Sequence, residues 1–245
     1  MRMSSKAPLG APTSSSASRV THTADGDVGA PSKTFPRARL RFPEFQDAPE
    51  WEVKALGGLS DVRDGTHDSP KYFSEGKPLI TSKNLGADGE LDLKNVSLIC
   101  DQDFTLINKR SKVDVGDLLY GMIGTIGNPV IVHSTGFAIK NVALVKEQTE
   151  LKNTFLVQLL RSDYIAAKLK IITSGNSQKF VSLGQLRKLE IPVPTFPEQQ
   201  RIATCLTSLD DLITAQTTKL SALKTHKKGL MQQLFPSAIE TSSQI

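Results

Sequence analysis

The sequence predicts an α+β fold: one globular body with a strand-rich core, followed by a long coiled-coil helix and preceded by a disordered tail. Three observations support this prediction. Short apolar runs alternate with turn residues between 78 and 145, a helical apolar pattern fills 151–170, and a heptad repeat begins at Ile202. The 245 residues, 38% of them hydrophobic, can bury one substantial core and still carry an appendage.

The first element, residues 1–40, is interpreted as a disordered tail. Residues 1–34 include 18 Ser, Ala, Pro or Gly and lack the apolar block of a secretory signal. Translation from an over-early start codon is an alternative explanation for this composition. We expect order to begin near 41–45, ahead of Trp51, and a second tail to occupy 236–245.

The body is expected to consist of short strands and then short helices. The apolar pattern resumes after Trp51, and Ser182 is a suitable cap for a short helix that contains Leu186. One helix is predicted at 151–170, and an extended segment at 190–194 leads into the long helix. Strands are predicted at 78–81, 104–107, 117–120, 129–132 and 141–145.

The last predicted element is a single helix over 196–235, about 60 Å long at about 1.5 Å per residue. Thr195 and Glu198 have the spacing of a capping box, and Pro197 suits a first helical turn. Apolar residues recur at spacings of four and three, which is typical of a coiled coil and requires a partner helix. This seam consists of Ile202, Leu206, Leu209, Ile213, Leu220, Leu223, Leu230 and Leu234, interrupted by Gln216 and Lys227.

Two readings of the heptads are open: a plain oligomerisation helix, or a spacer that holds two recognition modules apart. The net charge of +5 favours a polyanionic partner, and six basic residues against Asp163 alone concentrate positive charge in 161–188. Cys100 and Cys205 have neither metal-ligand spacing nor a disulfide pattern, which fits a reducing cytosol. No apolar run approaches the roughly 20 residues of a membrane span.

Three polar or glycine-rich clusters are candidate sites of binding or catalysis. Asp61, Asp64, His67 and Asp68 suggest a metal site, but Gly65 and neighbouring residues are typical of a turn, so a surface loop is the favoured reading. The glycines of 120–128 lack nucleotide-loop spacing and fit a turn between buried strands. No catalytic motif is present. The loop at 173–180 combines hydroxyls, amides and a lysine suited to DNA, and a merely polar connecting loop is an equally open interpretation.

Taken together, these segments resemble the specificity subunit of type I restriction-modification enzymes. The resemblance spans about 41–236. Its residues are Arg41-Phe42-Pro43-Glu44-Phe45 with Trp51, Asp64-Gly65-Thr66-His67-Asp68-Ser69-Pro70, Gly116-Asp117-Leu118-Leu119 with Gly124-Thr125-Ile126-Gly127, and Ser174-Gly175-Asn176-Ser177-Gln178 leading to Ile191-Pro192-Val193-Pro194 and Pro197-Glu198-Gln199-Gln200-Arg201-Ile202.

The resemblance implies a DNA target recognition domain at 41–195 and a spacer and dimerisation helix at 196–235. It implies a non-catalytic, cytoplasmic subunit that binds no cofactor or metal itself and directs adenine methylation and restriction to a bipartite double-stranded DNA target. Methyltransferase subunits would bring S-adenosylmethionine, and restriction subunits would use ATP and Mg.

The chain departs from the family pattern because it holds one such domain and one such helix instead of two. It is interpreted as a half-length subunit that self-associates, a truncated fragment, or one partner of a split pair. Self-association would predict a symmetric target, because two-fold protein symmetry is mirrored in the DNA site. The rival interpretation is a stand-alone coiled-coil DNA-binding or regulatory protein unconnected to restriction.

Candidate DNA contacts are polar side chains on expected loops or strand ends. Lysines are expected to bind phosphates, and hydroxyls, amides and the histidine to read base edges. The candidates are Thr66, His67, Ser69, Lys71, Lys83, Asn84, Asn128, Ser174, Asn176, Gln178 and Lys179.

Overall fold

The computed structural model describes residues 38–173 and 180–235. The α+β class and the long final helix predicted from the sequence are confirmed. In chain order the elements are β1 (Glu52–Ala55), α1 (Leu56–Leu59), β2 (Val62–Asp64), β3 (Lys77–Ile80), β4 (Ser97–Ile99), α2 (Asp101–Ser111), β5 (Leu118–Gly121), β6 (Gly127–Ile131), β7 (Ala138–Ile139), β8 (Val142–Val145), α3 (Asn153–Leu160), α4 (Asp163–Thr173), α5 (Leu183–Arg187), β9 (Glu190–Val193) and α6 (Phe196–Leu234). The predicted tails at 1–37 and 236–245 lie outside the described residues.

The strands of the described residues form three small sheets. The largest has the order β2-β8-β5-β6 and is antiparallel throughout. A second sheet has the order β4-β3-β7, in which β3 and β7 are parallel, and β1 pairs antiparallel with β9. Because β9 leads directly into α6, the β1–β9 pair places the start of the long helix against the body.

The central strands β5 and β8 are buried on both faces. Leu118 and Tyr120 face a core shared with the helices, while Leu119, between them, faces a core shared with β3 and β7. Val145 and Leu144 divide between the two cores in the same way. Successive side chains of a strand point to opposite faces, so strands covered on both sides are apolar throughout, as these two are. Burial raises the pKa of Tyr120 to about 12.

The strand predicted at 104–107 is wrong: these residues lie inside helix α2. Phe104 and Ile107, three residues apart, share the helix face that packs against the β4-β3-β7 sheet, whereas Leu106 is 64% exposed. The amide of Asp103 donates to the thiol of Cys100 at the start of α2, 3.5 Å away. A four-residue apolar run satisfies helix and strand patterns equally, so only packing decides between them.

The single helix predicted at 151–170 is two helices, α3 and α4. The hydroxyl of Ser162 donates to the carbonyl of Leu159 (2.6 Å) and accepts the amide of Ile165 (3.4 Å). Serine favours such side-chain bonds to the backbone over continued helix. The short capped helix is confirmed as α5, where Ser182 and Gln185 bond reciprocally.

Helix α6 has 39 residues and the predicted bounds to within one residue. Its start differs from expectation, because Thr195 makes no side-chain cap bond and Glu198 bonds to Arg41 and Trp51 instead. Ala203 is buried against the body, and Ile202 packs beside it. From 211 to 235 every position except Gly229 is exposed.

The exposed part of α6 carries the predicted seam. Seven of its eight aliphatic residues are between 38% and 74% exposed, and Leu212 and Met231 widen the apolar strip. This apolar strip is therefore accessible to a partner helix. Within residues 38–173 and 180–235, no helix is long and apolar enough to cross a lipid bilayer.

Candidate nucleic-acid interface

The loop at 64–70 is fastened to the turn that precedes β8. The amide of Gly65 donates to Val142 O (2.9 Å), and the amide of Thr66 donates to Ile139 O (3.0 Å). In the opposite direction, the amide of Asn141 donates to Thr66 O (3.1 Å). A Cβ on Gly65 would lie 2.2 Å from Ile139 O, so the close approach of the two segments requires glycine.

His67 connects the two segments through its side chain. Its Nε2 lies 2.8 Å from Asp64 Oδ2, and its Nδ1 lies 2.8 Å from Asn141 Oδ1. Hydrogen bonds to Asn141 and then to Asp64 raise the pKa of the imidazole, despite some desolvation and the nearby Arg110 charge. Only the imidazolium donates from both nitrogens, so these oxygens favour the charged form. The ring remains 56% exposed and available to a ligand.

Arg110, in the last turn of α2, joins this cluster. Its Nη2 donates to Asp64 Oδ1 (3.0 Å) and Gly65 O (2.8 Å), while 62% of the side chain stays exposed. A groove of about 430 Å³ separates the loop from α2. It is lined by Thr66, His67, Asp68, Ser69, Pro70, Asp103, Leu106, Ile107, Arg110 and Ser111.

Lysines border the same loop. Lys140 Nζ donates to the hydroxyl of Ser69 (2.8 Å). Lys71 is exposed one residue beyond the groove, and Lys83 is exposed on a 3-10 turn tied to Asn141 O by Ser82 Oγ (3.2 Å). The structure therefore brings together the predicted candidates Thr66, His67, Ser69, Lys71 and Lys83. We call these five, with Arg110 and Lys140, the His67 surface.

Two predicted contacts, Asn84 and Asn128, hydrogen-bond to the protein's own backbone. Asn84 is 5% exposed, and its amide group accepts from the Thr81 amide (3.0 Å) and donates to Asp92 O (3.2 Å) and Asn95 O (3.0 Å). Asn128 adopts φ 47° and donates to Leu85 O (2.9 Å). Asn84 is corrected to a loop brace because its polar atoms are already satisfied inside the protein. Asn128 braces the same loop but is only partly buried.

The remaining predicted contacts lie outside the described residues: Ser174, Asn176, Gln178 and Lys179. Phe180, which follows them, forms a bridge to Ile123 in the glycine-rich connection between β5 and β6, and the amide of Val181 donates to Met122 O (2.9 Å). That connection is the expected turn between two strands.

Sequence reasoning missed Arg110, Lys140 and Asn141. A strand at 104–107 gives no reason to expect position 110 beside the loop, whereas helix α2 places Arg110 there in its last turn. Asn141 carried a usable signal: asparagine tolerates the left-handed backbone, and it adopts φ 55° at the turn into β8. Within the described part of the chain, no group of three metal-ligating side chains could hold an ion.

Comparison with known proteins identifies the family of this chain. The family profile for the type I restriction modification DNA specificity domain matches residues 49–225, which covers the body and most of α6. The chain belongs to this specificity-domain family. The resemblance inferred from its motifs is thereby confirmed, and the disagreement over 104–107 leaves it unaffected.

Similar specificity-family proteins come from Methanocaldococcus jannaschii. The putative type I restriction enzyme MjaX specificity subunit is 26% identical over 84% of this chain and 50% of its own length. The MjaVIII specificity subunit is 24% identical over 85% of this chain and 51% of its own length. The chain thus spans about half the length of the curated relatives it matches.

Solved structures share the fold. The S subunit from M. genitalium superposes with a TM-score of 0.54 at 17% identity, covering 80% of this chain and 48% of that one. A structure of type I restriction-modification assembly and conformational transition gives 0.53 at 19% identity, covering 83% and 47%. The HsdS subunit from Thermoanaerobacter tengcongensis gives 0.51 at 18% identity, covering 82% and 45%.

Proposed function

We propose that this chain is a non-catalytic DNA-recognition subunit of a type I restriction-modification complex. The observation that carries the proposal is that the matched specificity domain runs from the body into the projecting half of α6. The body, 41–195, would act as the target recognition domain. The helix, 196–235, would act as a spacer and a pairing surface.

The His67 surface supplies suitable chemistry for reading DNA. Lys71, Lys83, Lys140 and Arg110 provide cations for phosphates, which position a protein without reading sequence. Thr66, His67 and Ser69 lie among them with groups that bond to base edges. Asn128, Ser174, Asn176, Gln178 and Lys179 remain part of the proposed contact set.

The exposed seam of α6 would pair with a second copy or with another half subunit. Pairing would hold two recognition domains apart over an interrupted, bipartite target. A homodimer would read a symmetric target because both halves would be read by the same surface.

The partners would supply all the chemistry. Methyltransferase subunits would bring S-adenosylmethionine and methylate adenine, and restriction subunits would add ATP- and Mg-dependent cleavage. The chain itself would bind neither cofactor nor metal.

Co-purification with a cognate methyltransferase, followed by methylation mapping, tests the proposal. The expected result is an interrupted adenine motif that disappears when the chain is omitted, with symmetric halves if the chain pairs with itself. A non-palindromic motif from this chain alone would contradict self-pairing. Methylation or cleavage by the purified chain without partners would contradict the non-catalytic role.

Lys140→Ala is expected to weaken binding to all DNA sequences similarly. Loss of one phosphate contact should lower the slope of log K against log salt by about one unit. Fluorescence anisotropy of matched and mismatched duplexes over a salt series measures this slope. Lys54→Ala is the control, because Lys54 is an exposed lysine on β1 paired with Glu52. An unchanged slope for Lys140→Ala would remove that residue from the interface.

DNA binding is expected to weaken as pH rises through the pKa of His67. That pKa is raised above its usual value near 6.5, so the imidazolium persists to higher pH than in a free histidine. The charge is lost as the pH rises through the raised pKa. Binding titrations from about pH 6 to 9 should show the decline. His67→Gln should flatten the profile, whereas His133→Gln, at another exposed histidine, should not. Identical profiles for all three proteins would refute the assignment.

A further inference from the structure

The first turn of α6 holds a buried carboxylate that is bound to the segment preceding β1. Glu198 is 1% exposed, and its two oxygens accept Nε and Nη2 of Arg41, both at 2.7 Å. Trp51 Nε1 also donates to it at 3.2 Å. Arg41 additionally donates to the carbonyls of Ala48 and Pro49, each at 2.9 Å. One guanidinium thus binds both the helix and the 41–51 segment that passes its base.

The next residue anchors the helix to a different segment. Gln199 is 1% exposed, and its Oε1 accepts the amide of Lys152 (3.1 Å). Its Nε2 donates to the carbonyls of Glu150 (3.0 Å) and Pro194 (3.1 Å). Adjacent helix positions point about 100° apart, so the two side chains hold the helix from two sides.

A third attachment lies three turns further along. Asp210 accepts Gln158 Nε2 at 2.8 Å and lies 3.5 Å from Arg161 Nη1, both on the α3 side. Between these attachments, Ile202 and Ala203 pack on the body, and apolar packing of this kind is not directional. Arg201 also donates to Glu44 Oε1 (3.1 Å), but about half of each of these two side chains is exposed, so water competes with their bond. Hydrogen bonds to buried groups are directional, so they are the interactions that fix how the helix is rotated.

We propose that the buried pair Glu198–Gln199 is a positioning element that sets the direction and rotation of α6 relative to the His67 surface. Resting on the proposed function, this pair would determine which separation between two half-sites the assembled protein accepts. The leverage is large, because about 35 residues, or about 53 Å of helix, extend beyond Gln199.

A small change in the angle of α6 is large on the scale of a DNA base pair. A tilt of about 10° at the base would move the end of α6 by about 9 Å, given about 1.5 Å of rise per residue, and it would also break the contacts of Asp210. One base pair adds about 3.4 Å along DNA. If the first turn of α6 were held less firmly, the protein would therefore accept half-site separations that differ by about two or three base pairs, even with the body and the seam intact.

Distance measurements between spin labels test the positioning role. One label is placed at Lys109→Cys on α2 and one at Lys224→Cys on α6, both exposed, in a Cys100→Ser, Cys205→Ser background. Labelled chain is diluted into excess unlabelled chain, so that only distances within one chain contribute. Glu198→Gln, which places an amide against the Arg41 donors, is expected at least to double the width of the distance distribution. Asp211→Asn, at an exposed carboxylate of the same helix, should leave the width unchanged.

Circular dichroism establishes that each variant is folded. If Glu198→Gln does not fold, Arg41→Lys is used as the test variant, because lysine keeps the charge but cannot make the bidentate hydrogen bond to Glu198. A distribution as narrow as that of the parent protein would overturn the positioning role. A broad distribution with an unchanged half-site separation in the methylated target would overturn the link to target spacing. Neither outcome affects the proposed function, which fails if no methylation depends on the chain.

Discussion

Leu220→Asp is expected to abolish association through α6 while the body stays folded. Leu220 is 53% exposed in the single chain, and no described residue of the body covers the helix at this position. Pairing would bury the leucine, worth about 1.5–3 kcal/mol, and the substitution would place a carboxylate there instead. A symmetric dimer contains the Leu220→Asp substitution in both helices, so the effect counts twice. A loss of at least about 3 kcal/mol corresponds to more than a hundredfold weaker association.

Sedimentation velocity over a concentration series measures this effect, with and without methyltransferase. Thr218→Asp is the matched control, because position 218 lies on the helix face opposite the seam and is also exposed. It should associate like the parent protein, and circular dichroism should show equal helix content in both variants. A parent chain that remains monomeric under every condition, including with methyltransferase, would contradict pairing through α6.

Gly65→Ala is expected to destabilise the protein and to remove DNA binding at the His67 surface. A methyl carbon at this position would stand 2.2 Å from Ile139 O and 2.8 Å from Lys140 N, so the 64–70 loop and the 139–141 turn must separate. Their separation would break the His67–Asn141 and Lys140–Ser69 contacts. Overpacking of this kind costs about 1–3 kcal/mol of the free energy of unfolding.

Denaturant titration and DNA binding at neutral pH measure the two losses in the same preparations. Gly58→Ala is the control, because a Cβ at Gly58, in α1, meets no atom within 4 Å. The control should keep DNA binding and leave stability unchanged or slightly higher. Full DNA binding by a folded Gly65→Ala protein would show that recognition does not depend on the closed loop.

The regular elements of this protein were largely predictable because their signals are local. The seam of α6 repeats over the whole helix, and the predicted bounds were correct to one residue. The predicted strands β3, β5, β6 and β8 were found because β-rich apolar runs stand between turn residues. Helix α2 was missed because Phe104–Ile107 fits either period, and its assignment depended on packing against Leu79 and Ile99.

The candidate site was predictable only in part. Thr66, His67 and Ser69 lie on a loop whose turn residues are visible in the sequence, so their exposure was expected. Their neighbours Arg110 and Lys140 lie more than 40 and 70 positions away, and no local pattern indicates that they meet. Asn84 shows the opposite case: its polarity predicts a ligand contact, whereas the structure buries its side chain and bonds it to the backbone of its own loop.

The amino-acid sequence by itself determined the class of fold, the long helix with its apolar seam, and the family to which the chain belongs. These follow from periodicity and short motifs, in which each residue acts on near neighbours along the chain. Only the tertiary structure decided that Glu198 binds Arg41 and Trp51 rather than capping its own helix, and that His67 lies between Asp64 and Asn141. A charged side chain bonds to whichever partner the fold brings within about 3 Å, and sequence separation carries no information about that distance.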